Sequence, residues 1–364
     1  MRFLRLIGLV GLMGLMGFAE PLKPLEPIKL LKPLKPIKPL KPLKLLKPLK
    51  PIKPLEPLKL LKPLKPLEPL EPLEPLRVME WNVENLFDCN DDEGKADEEF
   101  LPKGERRWNR KRYWRKLTDI GKVVASMADE QLPDIIGLCE VENDSCLHDL
   151  CHRSMLRALH YDYVMTESRD RRGIDVALMW LAGRFRLCAK TSIRIPSEQL
   201  SLKPTRDILY VKGLATALKD TLHVFVVHLP SKLGGADANR HRALAAKTLW
   251  HSVDSVRECG GTNVLVMGDF NATEKEQVFK SCQLKRLKPT GKRGTYCFQG
   301  NWEFIDHILL SETLSGSARV FVRPWLMERD EGGGEEQPHR TFIGPRYNGG
   351  VSDHLPLVAD IKES

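Results

Sequence analysis

Polar side chains that could hold a cation or a phosphate stand at the ends of several apolar runs. The clearest case is the run 264–267, which leads into Asp269 and Asn271. Because side chains alternate along a strand, residues two apart point the same way. This carboxylate and carboxamide could together hold a water molecule, a cation or a phosphate oxygen. Polar residues in comparable positions are Asn82, Glu140, His228, Asp353 and His354.

Two further acids, Asp175 and Asp306, lie inside apolar runs. A carboxylate in an apolar strand costs free energy unless it is paired or bound to a metal. The candidate ligands are oxygen atoms and imidazoles without paired cysteines, which favours Mg²⁺, Mn²⁺ or Ca²⁺ over structural zinc. Two separate histidines, His228 and His354, suit phosphate binding and proton transfer.

An α/β domain is needed to position these residues. Apolar runs predict strands at 78–81, 134–139, 174–180, 222–227, 264–267, 304–310 and 355–361. Helical patterns fall between them, at roughly 110–128, 146–159, 239–258 and 273–282. Strands that alternate with helices predict an α/β domain. Several strands are separated by turns of hairpin length, so we expect mixed rather than purely parallel sheets.

Seven short motifs follow one another along 78–364. They are Trp81-Asn-Val-Glu-Asn-Leu-Phe87, Gly137-Leu-Cys-Glu-Val-Glu142, Arg172-Gly-Ile-Asp175, Val227-His228, Gly268-Asp-Phe-Asn271, Ile305-Asp-His307 and Ser352-Asp-His-Leu-Pro356. In this order they resemble the endonuclease/exonuclease/phosphatase superfamily, which includes pancreatic DNase I, the abasic-site endonucleases and the sphingomyelinases. Each motif is weak alone, whereas the ordered set is specific. The resemblance implies a four-layer α/β sandwich, with two packed mixed β-sheets flanked by helices.

The resemblance also implies roles in metal and water binding. Glu140 would be the main ligand of a divalent cation, Mg²⁺ in the first place, with Asn82 and Asp353 completing or supporting the site. Asp269 would orient and deprotonate the attacking water. Asn271 would hold a phosphate oxygen and its developing negative charge. The implied chemistry is in-line attack of water on phosphorus, helped by charge neutralisation at a metal.

The two histidines would bind or protonate the phosphoryl group. By resemblance, Asp306 would orient His354, and Asp175 would do the same for His228. Two further residues of the motifs are supporting candidates, each with a simple solvated side chain as the alternative: Arg172 and Glu142.

The chain departs from the family pattern at two places. Cys139 precedes the metal glutamate, where the family commonly has Gln. After His228 the run is Leu-Pro-Ser-Lys-Leu-Gly-Gly, where the family often has Trp-Pro-Ser followed by basic residues. Substrate contacts that those family residues make are therefore not carried over to this chain. None of the chemical groups is missing, so we expect an active enzyme.

The segment 1–19 has the pattern of a secretory signal peptide. Arg2 and Arg5 precede an apolar run at 6–18, and small residues follow at Gly17 and Ala19. The run is too short to span a bilayer, although a membrane anchor is the alternative. We expect export to the periplasm, the cell surface or the medium.

The segment 20–77 is a triplet repeat of Pro, Leu or Ile, and Lys or Glu. Leu replaces Pro at 30, 45 and 60, so a unit of about 15 residues recurs. Polyproline II has three residues per turn, which would place each triplet position on its own stripe. We expect a polyproline II-like or disordered spacer. The alternative is a tether whose Lys stripe contacts envelope polymer or a membrane surface.

The positive charge of the chain belongs to this repeat. The whole chain has a net charge of +9, and residues 21–77 hold 13 Lys, one Arg and five Glu. The 287 residues of 78–364, the predicted catalytic domain, hold 41 basic and 42 acidic groups. Net charge therefore says nothing about the substrate of this domain.

A basic segment, 106–116, contains seven basic and three aromatic residues. Such a mixture could follow a nucleic-acid backbone and stack bases. We favour the start of a helix whose aromatic side chains pack inward while its basic groups stay in water.

Together these features predict an exported, monomeric, metal-dependent phosphoesterase, and in the first place a nuclease acting on DNA or RNA. One alternative is a phosphatase or phospholipase C-type enzyme acting on a phospholipid or inositol phosphate. The other is an envelope-tethered binding protein whose repeat provides the function. That protein would turn over no phosphate ester.

Overall fold

The computed structural model describes residues 74–232, 235–329, 334 and 336–364. The predicted signal peptide lies outside these residues, and so does the predicted repeat up to residue 73. Within the described ranges, no helix is both long and apolar enough to cross a membrane.

The described residues form many strands and few helices. The strands are β1 (Leu76–Leu86), β2 (Ile135–Val141), β3 (Tyr161–Met165), β4 (Asp175–Leu181), β5 (Phe185–Ile193), β6 (Ile208–Ala215), β7 (Asp220–His228), β8 (Val264–Asp269), β9 (Lys285–Arg286), β10 (Pro289–Thr290), β11 (Tyr296–Phe298), β12 (Asn301–Glu303), β13 (Asp306–Leu310), β14 (Leu314–Val320), β15 (Met327–Arg329), β16 (Glu336–Pro338), β17 (Phe342–Ile343), β18 (Arg346–Tyr347) and β19 (Leu357–Glu363). The α-helices are α1 (Arg110–Ala125), α2 (Asp144–His148) and α3 (Gly235–Glu258).

Two large sheets carry the fold. The first has the strand order β10-β14-β19-β1-β2-β4-β3, and the second has the order β5-β6-β7-β8-β13-β9. In the first sheet β1 and β2 are parallel, whereas β1 and β19 are antiparallel. In the second sheet β7 and β8 are parallel, and β8 and β13 are antiparallel. Both sheets are mixed, as predicted.

The sheets pack face to face, with a helix on each outer side. Gly137 of β2 lies so close to the second sheet that an added Cβ would be 2.9 Å from the Met267 side chain. On the outside of the second sheet, Leu249 and Trp250 of α3 form a separate core cluster with that sheet. Helix α1 packs Leu117 into the main core beside β1. The predicted four-layer sandwich is confirmed.

The basic segment contains a helix start, as favoured from the sequence. Asn109 caps α1, and its Oδ1 accepts hydrogen bonds from the backbone N–H groups of Lys111 and Arg112. Trp108 is fully buried just before the cap, and Lys116 is buried inside the helix. At least part of this basic segment is therefore structural.

The predicted helix at 273–282 is wrong. Only a 3₁₀ turn, Gln277–Phe279, forms there. Thr273 N–H donates to the Glu276 carboxylate, as at a helix start. The Val278 carbonyl, however, accepts from the Trp250 indole at 2.6 Å. A segment this short is a marginal helix, and here packing against α3 decides its conformation. The helix predicted at 146–159 is likewise interrupted, as α2, a π turn (Asp149–Arg153) and a 3₁₀ turn (Met155–Ala158).

Candidate active site

Strand register brings most of the predicted site residues to one end of the two sheets. In the second sheet, His228 of β7 pairs with Asp269 of β8, and Asp269 pairs with Asp306 of β13. In the first sheet, Asn82 of β1 pairs with Cys139, the residue before Glu140. The polar residues that follow apolar runs in the sequence therefore become neighbours in space.

His354 forms a buried array with Asp306 and Asp269. Its Nδ1 lies 2.8 Å from Asp306 Oδ2, and its Nε2 lies 3.9 Å from Asp269 Oδ2. Burial opposes protonation of this imidazole, but the charge and hydrogen bond of Asp306 raise its pKa well above the ordinary value, with help from Asp269. His354 is therefore a cation at neutral pH, and the predicted orienting role of Asp306 agrees with this geometry.

His228 faces the same carboxylate in the opposite protonation state. Its Nε2 lies 3.6 Å from Asp269 Oδ2 and 3.9 Å from Glu140 Oε1. Burial, followed by the charges of Arg206 and Arg172, lowers the pKa of His228 well below the ordinary value. A neutral and a cationic imidazole therefore flank Asp269.

Asp269 is poised to exchange a proton near neutral pH. Burial, and then the neighbouring Asp306, raise its pKa to about 7, while His354 acts in the other direction. Its Oδ1 accepts the Asn271 backbone N–H at 2.8 Å. The preceding Gly268 is required, because a Cβ there would lie 1.9 Å from the Val227 carbonyl oxygen. The sharp strand end thus depends on glycine.

Asn271 has a left-handed backbone, with φ of 47°. Asparagine tolerates this conformation better than most residues. Its Nδ2 donates to the Leu229 carbonyl at 3.0 Å and approaches Asp269 Oδ2 at 3.3 Å. In this geometry Asn271 fixes the orientation of Asp269.

Glu140 lies at a β-bulge within β2. The register of β2 against β4 shifts between Cys139 and Val141, and Glu140 has φ of 66°. Such bulges re-aim a side chain, and a left-handed glutamate costs roughly 1–3 kcal/mol that the surrounding structure must offset. The Glu140 Oε2 accepts from the Asn85 N–H at 2.9 Å and from Arg172 Nη2 at 3.3 Å. Arg172 therefore lies in the site.

The other two predicted metal ligands already have protein partners. Asn82 donates from Nδ2 to Asp269 Oδ2 at 3.1 Å, and its Oδ1 accepts the Glu84 N–H. Asp353 accepts from Arg340 Nη2 at 2.7 Å. Burial opposes its ionisation, but the charges of His354 and Arg340 outweigh burial and lower the pKa of Asp353. Both residues line the site, and Asp353 is ionised there.

Two supporting candidates, Asp175 and Glu142, hydrogen-bond to residues outside the group around Asp269. The Asp175 carboxylate accepts from Thr166 Oγ1 at 2.6 Å and from the Ser168 N–H at 3.0 Å. The buried Nδ1 of His228 has no hydrogen-bond partner, so the predicted Asp175–His228 interaction is wrong. Glu142 accepts the Asp88 N–H, and burial together with neighbouring aspartates raises its pKa to about 9. Glu142 belongs to an acidic group beside the site.

One buried acid near the site was missed from the sequence. Glu80 is fully buried in β1, and neither carboxylate oxygen has a hydrogen-bond partner. Burial, and then Asp306 and Asp269, raise its pKa well above the ordinary value. The rule that singled out Asp306, an acid within an apolar strand, applies equally to Glu80.

A buried lysine on α1 was also missed. Lys116 Nζ donates to the carbonyl oxygens of Glu84 and Val351 and to Thr341 Oγ1. The Glu84 carboxylate in turn accepts the Thr341 N–H at 2.7 Å. This network ties the chain around 341–351, which leads into Asp353, to the end of β1. Nothing in the sequence distinguishes Lys116 from the other bases of its segment.

The donor groups fit a hard divalent cation. Ligand atoms of Asp269, Asp306 and His354 all lie within 4.8 Å of one another. Glu140 adds a carboxylate that His228 approaches at 3.9 Å. The protonated His354 has no free lone pair for a metal, so the donors are the carboxylate oxygens, including Glu140, and these suit Mg²⁺ or Mn²⁺.

Two packed mixed sheets with acids and histidines at one end define a hydrolase of phosphate esters with the DNase I-like fold. A family model described as the Endonuclease/Exonuclease/phosphatase family matches residues 77–363. This chain therefore belongs to that family, whose enzymes depend on divalent cations. A comparison with curated proteins gave no match.

Solved structures of the same fold resemble this chain at low sequence identity. The human Nocturnin catalytic domain with bound sulfate is 20% identical, with a TM-score of 0.52, over 80% of this chain and 94% of that one. A mannosyl-6-phosphatase from Bacteroides thetaiotaomicron is 16% identical, with a TM-score of 0.54, over 79% and 99%. An endonuclease/exonuclease/phosphatase family protein from the same organism is 16% identical, with a TM-score of 0.53, over 79% and 97%. These likenesses support the fold.

Proposed function

We propose that this enzyme hydrolyses phosphodiesters by in-line attack of water and that its substrate is a nucleic acid. The observation that carries the reaction type is the placement of Asp269 between a neutral and a cationic histidine. A carboxylate with a pKa of about 7 is matched to proton transfer at neutral pH. The protonated His354 beside it suits a negatively charged phosphoryl oxygen.

Each residue then has a defined task. Asp269 takes a proton from water as the water oxygen bonds to phosphorus, and the bond to the leaving oxygen breaks. His354, held by Asp306, stabilises the phosphoryl oxygens and supplies a proton to the leaving oxygen. Glu140, with Asn82 and Asp353, would hold the divalent cation, which neutralises phosphate charge when bound.

Two residues complete the proposal. Neutral His228 would bind a phosphoryl oxygen through Nε2, which already points toward Asp269. Asn271 would exchange its Leu229 bond for a phosphate oxygen.

A groove next to the site favours a polyanionic substrate. It has a volume of about 500 Å³ and begins beside the ends of β8 and β13. Lys288 and Arg293 are exposed there and form no ion pair with a described residue. Basic groups beside aromatic rings suit a sugar–phosphate backbone and its bases. The other residues that line the groove are Thr273, Glu274, Lys275, Arg286, Pro289, Trp302, Glu303 and Phe304. Its two acids have basic partners, because Glu274 pairs with Arg286 and Glu303 pairs with Lys232.

A panel of substrates tests this function. The purified protein, with Mg²⁺ or with EDTA, is incubated with DNA, RNA, sphingomyelin, an inositol phosphate and a hexose phosphate. We expect nucleic-acid cleavage that EDTA abolishes. Preferred turnover of the lipid or a small phosphate would replace the nuclease by the phosphatase or phospholipase C-type alternative. No turnover on any ester would contradict the catalytic proposal.

We also propose that the protein is exported and that the repeat is a spacer. The support is the charge and apolar pattern of 1–19, together with the triplet period that follows. N-terminal sequencing of protein recovered from a bacterial host should show a start after Ala19. Recovery of uncleaved protein in the cytoplasm would contradict export.

A further inference from the structure

Four carboxylates lie close together outside the proposed catalytic array. Asp88, Asp92 and Asp97 belong to the chain that follows β1, and Glu142 follows β2. These four residues are termed the acidic cluster. Asp88, Asp97 and Glu142 are only 7%, 1% and 6% exposed. The Asn143 amide Nδ2 lies 3.4 Å from both Asp88 Oδ2 and Asp92 Oδ2, so it joins two members.

One oxygen of the acidic cluster is buried without any partner. Asp97 Oδ2 accepts the Asp92 N–H at 3.0 Å, but Asp97 Oδ1 has no hydrogen bond. Leaving a buried acceptor unsatisfied costs about 1–3 kcal/mol, and more for a charged group. The N–H that Asp97 Oδ2 accepts belongs to Asp92, another member, so the Asp97 carboxylate lies against the cluster. Asp97 Oδ1 is therefore a buried acceptor that a ligand from outside the chain could satisfy.

Within the described residues, no ion pair compensates the charge of the acidic cluster, although Arg110 lines the same pocket as Asp88. None of its four members forms an ion pair with a described Lys, Arg or His residue. The lysine in the same loop, Lys95, instead donates to the carbonyl oxygens of Ser168 and Asp170. Buried charges in proteins are paired or coordinate metals. The unpartnered Asp97 oxygen and the lack of an ion pair among the described residues both point to a cation as the ligand.

We propose that the acidic cluster is a second cation site, separate from the catalytic centre, and that it binds Ca²⁺. The donors are all oxygen atoms, which Ca²⁺ prefers, and Ca²⁺ accepts irregular geometry with water among its ligands. In the described residues, Asp269, Asp306 and His354 are the only acids, histidines or cysteines that bring three ligand atoms within 4.8 Å of one another. The cluster is wider, so water molecules complete the coordination between its carboxylates.

A cation there would support the catalytic centre through one loop contact. Ala96 N–H donates to the Arg171 carbonyl, and Lys95 Nζ reaches the Ser168 carbonyl at 2.9 Å. Arg172, which follows Arg171 in the chain, contacts Glu140. Ca²⁺ in the acidic cluster would therefore fix the loop that holds Arg172 against the proposed metal ligand.

Calorimetric titration with Ca²⁺ tests the proposal in full-length protein. Glu140→Gln weakens the proposed catalytic site, so the comparison is between Glu140→Gln and the double variant Glu140→Gln/Asp97→Asn. We expect the double variant to bind one Ca²⁺ fewer per chain and to lose the rise in Tm that Ca²⁺ gives the single variant. Asp91→Asn, an exposed acid of the same loop, is the matched control and should change neither value.

Equal stoichiometry in the two variants would overturn the proposal, since the acidic cluster would then hold no ion. Should Asp97→Asn fail to fold, half-buried Asp92→Asn replaces it, with at least a tenfold loss of affinity expected. Unchanged affinity in that variant would equally overturn the proposal. The calorimetric readout is Ca²⁺ binding, so the result does not depend on whether the protein is a nuclease, as proposed above.

Discussion

At the scale of residues, Asp269 is the group on which the other site residues converge. Asn82 and Asn271 hydrogen-bond it, and His228 and His354 approach it from two sides. The sequence supplied all five residues because each is a polar group beside an apolar strand. Arg340, the partner of Asp353, could not be found in this way, because it lies in a loop that has no periodic signal.

The first prediction concerns the proton transfer. Asp269→Asn and His354→Ala should each lower kcat/KM roughly 10²–10⁴-fold, the range for losing a positioned acid or base. Steady-state kinetics on the preferred substrate measures this, and circular dichroism checks the fold. Full activity in either variant would rule out the proposed roles.

The second prediction concerns pH. Activity should rise near pH 7, as Asp269 deprotonates. It should fall at higher pH, as His354 loses its proton, because the pKa of His354 lies well above the ordinary histidine value. Because Asp306 raises both pKa values, Asp306→Asn should move both limbs of the kcat/KM profile to lower pH. The profile is measured at saturating Mg²⁺.

Asp175→Asn is the control for this profile. Its carboxylate is bonded to Thr166 and Ser168 rather than to His228, so neither limb should move. A shift in this control, or unchanged limbs in Asp306→Asn, would contradict the electrostatic assignment.

At the scale of elements, continuous apolar runs were predicted well and half-buried strands were not. The buried strands β2 and β8 stand out in the sequence. The edge strand β5 was missed because most of its residues are exposed, so it lacks an apolar run. The bulge at Glu140 could not be foreseen, since it depends on pairing with β4.

The third prediction tests how α1 supports the site. Lys116→Met would leave the Glu84 carbonyl oxygen without its buried donor and would remove one of the two donors to the Val351 carbonyl. We expect the free energy of unfolding to fall by about 3 kcal/mol. Activity should fall as well, because the loop that leads into Asp353 would no longer be tied to the end of β1. Urea denaturation measures the stability. Lys111→Met, an exposed site on the same helix, should change it by less than about 0.5 kcal/mol.

At the scale of the whole molecule, the catalytic groups and the positive charge lie in different parts of the chain. The site residues span 82–354, whereas the excess of Lys lies in 21–77. The fourth prediction concerns removal of residues 31–45, one unit of the repeat. We expect kcat/KM on a soluble substrate to stay the same within about twofold, because salt screens the charges of the repeat from the catalytic residues. A tenfold change would show that the repeat takes part in substrate binding.

The sequence by itself determined the family, the sandwich fold and the polar residues that the strand ends present, because apolar periodicity and ordered motifs are local. Tertiary structure alone decided which groups meet and which are charged: a protonated His354, a neutral His228, Arg172 against Glu140, and the unpartnered oxygen of Asp97. Protonation and pairing depend on burial and on neighbours that are distant along the chain. The order of residues along the chain does not show how deeply a group is buried or which distant residues surround it.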